Sequence, residues 1–148
     1  MGMLNVRAYG LLVNSDNQLL VSDEKEYGRQ FTKLPGGGVE FGEGTIDCLK
    51  REFLEECNFE IEVLNHFYTT DFFVKSAFND TQVISIYYRV KAISPFNLNI
   101  KTRPFDFDSD GEVLQSFRWI DLAEIKPDDM TFQIDKHVVK LLTEQGWV

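Results

Sequence analysis

One proline and three glycines in a row, Pro35-Gly36-Gly37-Gly38, sit just ahead of a helical stretch crowded with carboxylates. That juxtaposition constrains the chain more than any other feature. The full segment, Leu34 to Phe59, reads LPGGGVEFGEGTIDCLKREFLEECNF. The glycine run is expected to be an irregular loop. Its backbone at Gly36, Gly37 and Gly38 can come close to a ligand or metal, because glycine brings no Cβ to block the approach. Thr45 suits a helix N-cap region, and helical periodicity carries on to about Cys57.

At about 100° per residue, Ile46, Leu49, Phe53 and Cys57 fall within a stripe roughly 80° wide, the expected buried face. Glu52, Glu55 and Glu56 take an arc of roughly 100° directed away from it. Carboxylates spaced three and four apart repel one another, and they lie in the helical half least suited to negative charge. Helix stability therefore does not explain them. Hard oxygen donors at this density suit Mg²⁺ or Mn²⁺, with a solvated acidic face as the bland alternative.

Taken together, Gly37, Glu43, Arg51, Glu52, Glu55 and Glu56 resemble the Nudix box, G-x5-E-x7-R-E-U-x-E-E-x-G-U, where U is a bulky aliphatic residue. Phe53 and Phe59 fill the U positions, a change of packing only. Asn58 stands in place of the last glycine, just past the helix end. Asn is the best non-glycine residue for a left-handed turn, so a small stability cost and intact chemistry are expected.

The resemblance implies an α+β fold, an α/β/α sandwich with a mixed sheet between helices, as one domain over residues 1–148. It also implies that Glu52, Glu55 and Glu56 bind Mg²⁺ (or Mn²⁺) with help from the Gly37 carbonyl. Glu43 supports that cluster, and Arg51 holds Glu52 by a bidentate contact. The reaction is substitution of water at phosphorus in a small nucleoside diphosphate derivative, with Glu52 the first choice of general base. Glu112, in SDGEVLQSFRW, is the second choice, and Asp110 lies nearby. The expected catalytic set is thus Glu52, Arg51, Glu55 and Glu112.

Composition agrees with a small metal-assisted enzyme. The chain has 148 residues, 43% hydrophobic and 26% charged, enough for one globular domain. Its net charge of -9 disfavours a nucleic-acid polymer, whose binding rests on Lys and Arg. An anionic substrate then calls for a cation to offset the repulsion. Cys48 and Cys57, on one helix at about 1.5 Å per residue, are too far apart for a disulfide and read as buried free thiols. No secretory leader and no membrane-length apolar run is apparent, so a cytoplasmic protein is expected. Many members of the family are dimers, which makes a homodimer an analogy.

Elsewhere, Val6 to Val13 and Gln18 to Ser22 read as a hairpin around the turn Asn14-Ser15-Asp16-Asn17. Asp23 to Gln30 reads as a polar connection and Phe31 to Leu34 as a short strand. Glu60 to Tyr68, Val83 to Ile93 and Ser116 to Ile120 are further strands. Asp71 to Thr81 is expected to be a loop or hairpin tip, and Ser94 to Glu112 mostly irregular. A closing helix runs from Phe132 to Glu144, with Gly146 after it.

For substrate contacts the candidates are Arg29, Phe31 and Lys33, immediately before the glycine run, together with Gly36 and Gly38. Arg7 and Arg89 on strands more often face solvent or an acid. Tyr87, Tyr88, Phe72, Phe73 and Trp119 are more often core or sheet surface than base-stacking platforms. The proline typical of the family's ADP-ribose subgroup is absent at Val74 and Lys75. The tyrosine of the dinucleoside polyphosphate subgroup is absent at Ser76, Ala77 and Phe78. What remains is a nucleoside triphosphate pyrophosphohydrolase of MutT type. The alternatives are a nucleotide-sugar or other conjugate pyrophosphatase, a non-catalytic nucleotide-binding module, and an acidic interaction domain whose box is accidental.

Overall fold

A computed structural model describes residues 2–147. Along the chain run β1 (Leu4–Leu12), β2 (Gln18–Glu26), β3 (Arg29–Lys33), β4 (Gly36–Gly38), α1 (Thr45–Cys57), β5 (Ile61–Thr69), β6 (Gln82–Ala92), β7 (Ile100–Lys101), β8 (Val113–Asp121) and α2 (Gln133–Gln145). These elements fall into two compact units. One holds the N-terminal stretch through Leu12 and Pro35–Asn97; the other holds Val13–Leu34 and the chain from Leu98 onward. Each carries a mixed sheet and one α-helix, so the class is α+β, as expected.

In the first unit the strand order is β4-β1-β6-β5. β1 pairs parallel with β6 and antiparallel with β4, and β5 pairs antiparallel with β6. α1 packs on β1, β4 and β5. Its anchor is Phe53, 1% exposed, which lies over Gly10 so closely that a Cβ there would be 2.6 Å from the ring. Phe59 meets Phe53 edge-on at 5.7 Å and Phe96 at 4.9 Å between ring centres, closing the helix end over the sheet. Full burial of one such aromatic contributes roughly 2–3 kcal/mol, which outweighs any single cap or charge pair on this helix.

The glycine run departs from the expected loop. Gly36–Gly38 is an edge strand, in register with Tyr9, Ala8 and Arg7. Backbone pairing needs no side chain, and Gly36, at φ +148°, takes a conformation that L side chains rarely adopt. Two details of α1 also differ. The N-cap is Gly44, with no side-chain cap, so Thr45 is the first helical residue. Ile46 is 42% exposed, and Cys48 is buried instead. The side-chain-free strand β4 offers a contact surface beside the helix that periodicity does not reveal. Asn58 ends the helix in the left-handed region at φ 59°, ψ 33°, as expected, its N–H donating to the Leu54 carbonyl.

In the second unit the order is β3-β2-β8-β7, with β7 parallel to β8 and the other pairs antiparallel. Among the described residues the expected hairpin of β1 with β2 does not form; β2 belongs to this sheet, and the bridge Val13↔Leu19 and the Asn14 N–H bond to the Gln18 carbonyl flank the turn. The turn itself is held by Asn14, whose Oδ1 accepts the N–H groups of Asp16 and Gln18. β2 also runs past Ser22 to Glu26, through what reads as a polar connection. It can do so because its buried polar side chains are paired. Asp23 receives Arg118 Nε at 2.6 Å, Arg118 Nη2 at 3.0 Å and Thr32 Oγ1 at 2.6 Å. Glu24 receives Ser22 Oγ at 2.8 Å and Lys33 Nζ at 3.1 Å. Buried charges persist only when partnered in this way. The helix α2 contributes Ile134, Val138, Val139 and Leu142 to this unit's core.

Candidate active site

The box residues converge on the surface shared by α1 and β4, within the first unit. Successive residues of a strand face opposite sides. Gly37 accordingly faces α1, and a Cβ there would lie 2.5 Å from Glu52 Cδ and 2.6 and 2.7 Å from its two oxygens. The carboxylate of Glu52 rests on the bare strand. Gly38 faces the other way, toward Arg7. The flanking bonds Gly10 N–H to Pro35 O and Val39 N–H to Val6 O set the ladder's alternation. Gly38, opposite Arg7, falls in a non-hydrogen-bonded pair, so its carbonyl points off the sheet edge. Arg51 Nη2 donates to that oxygen at 3.1 Å.

Arg51 organises the acids, though not in the expected way. Its two-pronged contact is with Glu43, through Nε at 3.0 Å and Nη2 at 2.6 Å, rather than with Glu52. Glu52 Oε1 receives a single bond from Nη1 at 2.9 Å, and Glu55 Oε2 receives Nη1 at 3.2 Å. A planar fork matches one carboxylate at a time, and Glu43 presents both oxygens to it. The Arg51 bonds, and the Glu40 N–H donating at 2.9 Å, hold the Glu43 carboxyl down to about 2. The same partnership, led by the bond to Glu43, raises the pKa of Arg51 above its ordinary value.

Cys48 belongs to this cluster and was not anticipated there. Its thiol donates toward the Gly38 carbonyl at 3.4 Å and the Gly37 carbonyl at 3.7 Å, and Arg51 Nη2 reaches its sulfur at 3.8 Å. Burial, then the nearby Glu43 charge, push its pKa up to about 11. The signal in the sequence was slight: a small residue beside a helix stripe, facing a strand read as a loop.

Glu52 has a side chain 14% exposed, Glu55 is open at 61%, and Oε2 of Glu56 is closed off from solvent. Among the described residues, no three carboxylate, imidazole or thiol groups stand where they could together hold a metal ion. The donors offered by Glu52, Glu55, Glu56 and the glycine carbonyls are nonetheless all hard oxygen. The missing side chain of Gly37 lets one carboxylate lie against the strand. That donor set fits a hard divalent cation.

The remaining candidates lie in the second unit. Phe31 is 2% exposed and packs on Phe132 at 5.2 Å, while the Lys33 ammonium is paired with Glu24. Arg29 is exposed at the start of β3. Glu112 and Asp110 are exposed in the segment before β8, where the Glu112 carbonyl accepts the Tyr27 N–H at 2.7 Å. Of the aromatic candidates in the first unit, Tyr87 is fully buried and stacks on Tyr9 at 5.2 Å. The Tyr88 hydroxyl bonds Thr45 Oγ1 at 2.7 Å, and Phe73 is 69% exposed. Arg89 lies over the Phe67 ring at 4.7 Å. Among the described residues no helix is long and apolar enough to cross a membrane.

The model of the NUDIX domain matches residues 3–142. A NUDIX hydrolase from Nitrosomonas europaea is 20% identical over 92% of this chain and 86% of its own, with a TM-score of 0.68. The MutT protein from Methanosarcina mazei Go1 is 14% identical over 99% and 98%, with a TM-score of 0.72. An ADP-ribose pyrophosphatase from Streptococcus suis 89-1591 is 13% identical over 97% and 96%, with a TM-score of 0.57. At these identities the structures establish the fold, and the family match over most of the chain establishes the lineage. Enzymes of this family generally use a divalent metal. The chain belongs to the Nudix family and is a hydrolase of phosphoric anhydride bonds in small nucleoside diphosphate derivatives.

Proposed function

We propose that the chain is a nucleoside triphosphate pyrophosphohydrolase of MutT type that works with Mg²⁺, with Mn²⁺ as a substitute. One observation carries this reading: the Glu52 carboxylate lies against Gly37 within a cluster that Arg51 ties to Glu43 and Glu55. Glu52, Glu55 and Glu56 hold the metal with a backbone oxygen of the glycine strand, Gly37 being the position the box assigns. Glu43 acts through Arg51 to fix the cluster's geometry. When bound, the cation offsets the charge of the diphosphate and of the leaving oxygen. Gly36 and Gly38 leave the strand bare, so a polyphosphate can lie close to it.

Glu52 takes a proton from the attacking water, whose oxygen forms a bond to one phosphorus of the anhydride. The bond from that phosphorus to the bridging oxygen breaks, and the bridging oxygen leaves with the departing phosphate. Glu112, or Asp110 beside it, is the second choice of base, and Arg29, Phe31 and Lys33 are the proposed substrate contacts of the second unit. A cytosolic location suits two buried cysteines that form no disulfide. A homodimer follows family habit.

The test is a panel of nucleoside triphosphates, nucleotide sugars, ADP-ribose and dinucleoside polyphosphates with Mg²⁺, read by coupled phosphate release. Nucleoside triphosphates are expected to be turned over best. Preference for a nucleotide sugar or ADP-ribose would replace the MutT-type assignment. In Glu55→Gln, folded by circular dichroism, most turnover should vanish. Undiminished turnover would remove Glu55 from the metal site. Release from no compound would favour a nucleotide-binding module.

A further inference from the structure

The face of the first unit's sheet turned away from α1 carries a second polar row beside the glycine strand. Arg7 on β1 is in register with Gly38 on β4 and with Ser85 on β6. Residues paired across neighbouring strands share a face, so Arg7 and Ser85 project together. Gly38 adds no side chain, and the Arg7 guanidinium leans over it: a Cβ on Gly38 would lie 3.5 Å from Arg7 Nη1. Glu52 presses on Gly37 from the opposite face. One bare strand thus separates a carboxylate from a guanidinium.

Arg7 is held in place locally. Its Nε donates to the Tyr9 hydroxyl at 2.5 Å, its Cζ lies 5.7 Å from the Tyr9 ring centre, and Tyr9 stacks on the buried Tyr87. Fixing Nε against a rigid aromatic pair sets the plane of the guanidinium and lowers the entropy lost on binding an anion. The Ser85 residue is 1% exposed, and its hydroxyl has no hydrogen-bond partner among the described residues. A buried hydroxyl left unanswered is destabilising and is uncommon without a function. In a chain of net charge -9, a fixed guanidinium over the strand that faces the acidic cluster is matched to an anion.

We propose that Arg7 and Ser85 form a phosphate-binding subsite, taking the phosphoryl oxygens of the nucleotide that lie on the side of β4 away from α1. This inference rests on the hydrolase reading of the same glycine strand. Metal-binding carboxylates serve one flank of the anhydride, and Arg7 supplies a fixed cation on the other. Ser85 gains its missing partner when the phosphate arrives.

The experiment compares wild type with Arg7→Met, which keeps much of the aliphatic stem, Arg7→Lys and Ser85→Ala. Each is measured for KM, kcat and the Mg²⁺ activation constant, and for binding of inorganic pyrophosphate by calorimetry with Mg²⁺. Arg7→Met should raise KM and weaken pyrophosphate binding about 10- to 100-fold, as expected for losing charge-assisted hydrogen bonds. Its Mg²⁺ activation constant should not move, and Arg7→Lys should recover part of the loss. Ser85→Ala should raise KM more modestly without lowering the melting temperature. Wild-type KM and pyrophosphate affinity in Arg7→Met, or an altered Mg²⁺ constant, would overturn the subsite. Wild-type KM in Ser85→Ala would overturn the two-residue form of it. If the wild type turned over nothing in the panel, the hydrolase reading would fail separately, and the pyrophosphate titration would still decide on Arg7.

Discussion

The carboxylate of Glu52 lies against the α-carbon of Gly37, where a methyl group would come within 2.5 Å of its Cδ. This contact joins the strand and helix halves of the box, and it explains why the strand must be bare at that point. Gly37→Ala forces either Glu52 or β4 to shift. The expected stability loss is about 1–3 kcal/mol, typical of overpacking, while metal-dependent turnover falls much further. Urea unfolding beside kcat measurements checks both, and turnover within a few-fold of wild type would break the link between contact and chemistry.

Arg51 is the shared donor of the cluster, so Arg51→Lys should not be conservative. A lysine has no planar fork to match Glu43 and cannot hold Glu43, Glu52 and Glu55 together. The expected outcome is a lower melting temperature and a loss of kcat larger than the rise in KM. Wild-type kinetics in Arg51→Lys would show that the fork is dispensable.

Cys48 sets a pH dependence. Its folded pKa is raised to about 11 from an ordinary 9.0, chiefly by burial, so folding favours the protonated thiol. The associated stabilisation is fully present below pH 9 and declines as the pH climbs through about 11. At pH 8 the native protein should resist alkylation at Cys48, and unfolding in urea should release it. Rapid native-state labelling at that position, read by mass spectrometry, would contradict the buried placement.

Asn58 occupies a left-handed position that glycine takes without a Cβ penalty. Asn58→Gly should therefore stabilise the protein, by up to about 1 kcal/mol, and Asn58→Val should destabilise it by about 1–2 kcal/mol. Activity should be unchanged in the glycine variant. A destabilised Asn58→Gly would mean that the Asn side chain makes a contact worth more than the strain.

Asp23 is fully buried beneath Arg118. Asp23→Ala leaves a guanidinium that is 14% exposed without its carboxylate, and about 3–5 kcal/mol of stability should be lost. Chemical denaturation measures it directly. A loss below 1 kcal/mol would show that Arg118 finds solvent instead.

Much of this was legible in the chain itself. The bounds of α1, the left-handed turn at Asn58, the strands β5, β6 and β8 and the closing helix follow from periodicity and from the residues that start and stop it. The identity and order of the box acids are a matter of letters at fixed offsets. Those features depend on interactions within a few residues, and local sequence carries them.

Other features depend on partners distant in the chain. Gly36–Gly38 pairs as a strand because β1 lies beside it, and nothing in three glycines announces that neighbour. Asp23 and Glu24 lie buried in β2 because Thr32, Arg118 and Lys33 partner them from β3 and β8, and Ser22 because Gln115 of β8 donates to its hydroxyl. Cys48 replaced Ile46 on the buried face because a side-chain-free strand left room for it. The fork of Arg51 chose Glu43 over its sequence neighbour Glu52. Arg7 came to Gly38 and Ser85 through strand register alone. Sequence by itself determined which groups are available and how the helix presents them. Tertiary structure decided which groups meet, because hydrogen-bond partners and buried volume are fixed only when distant strands set their register.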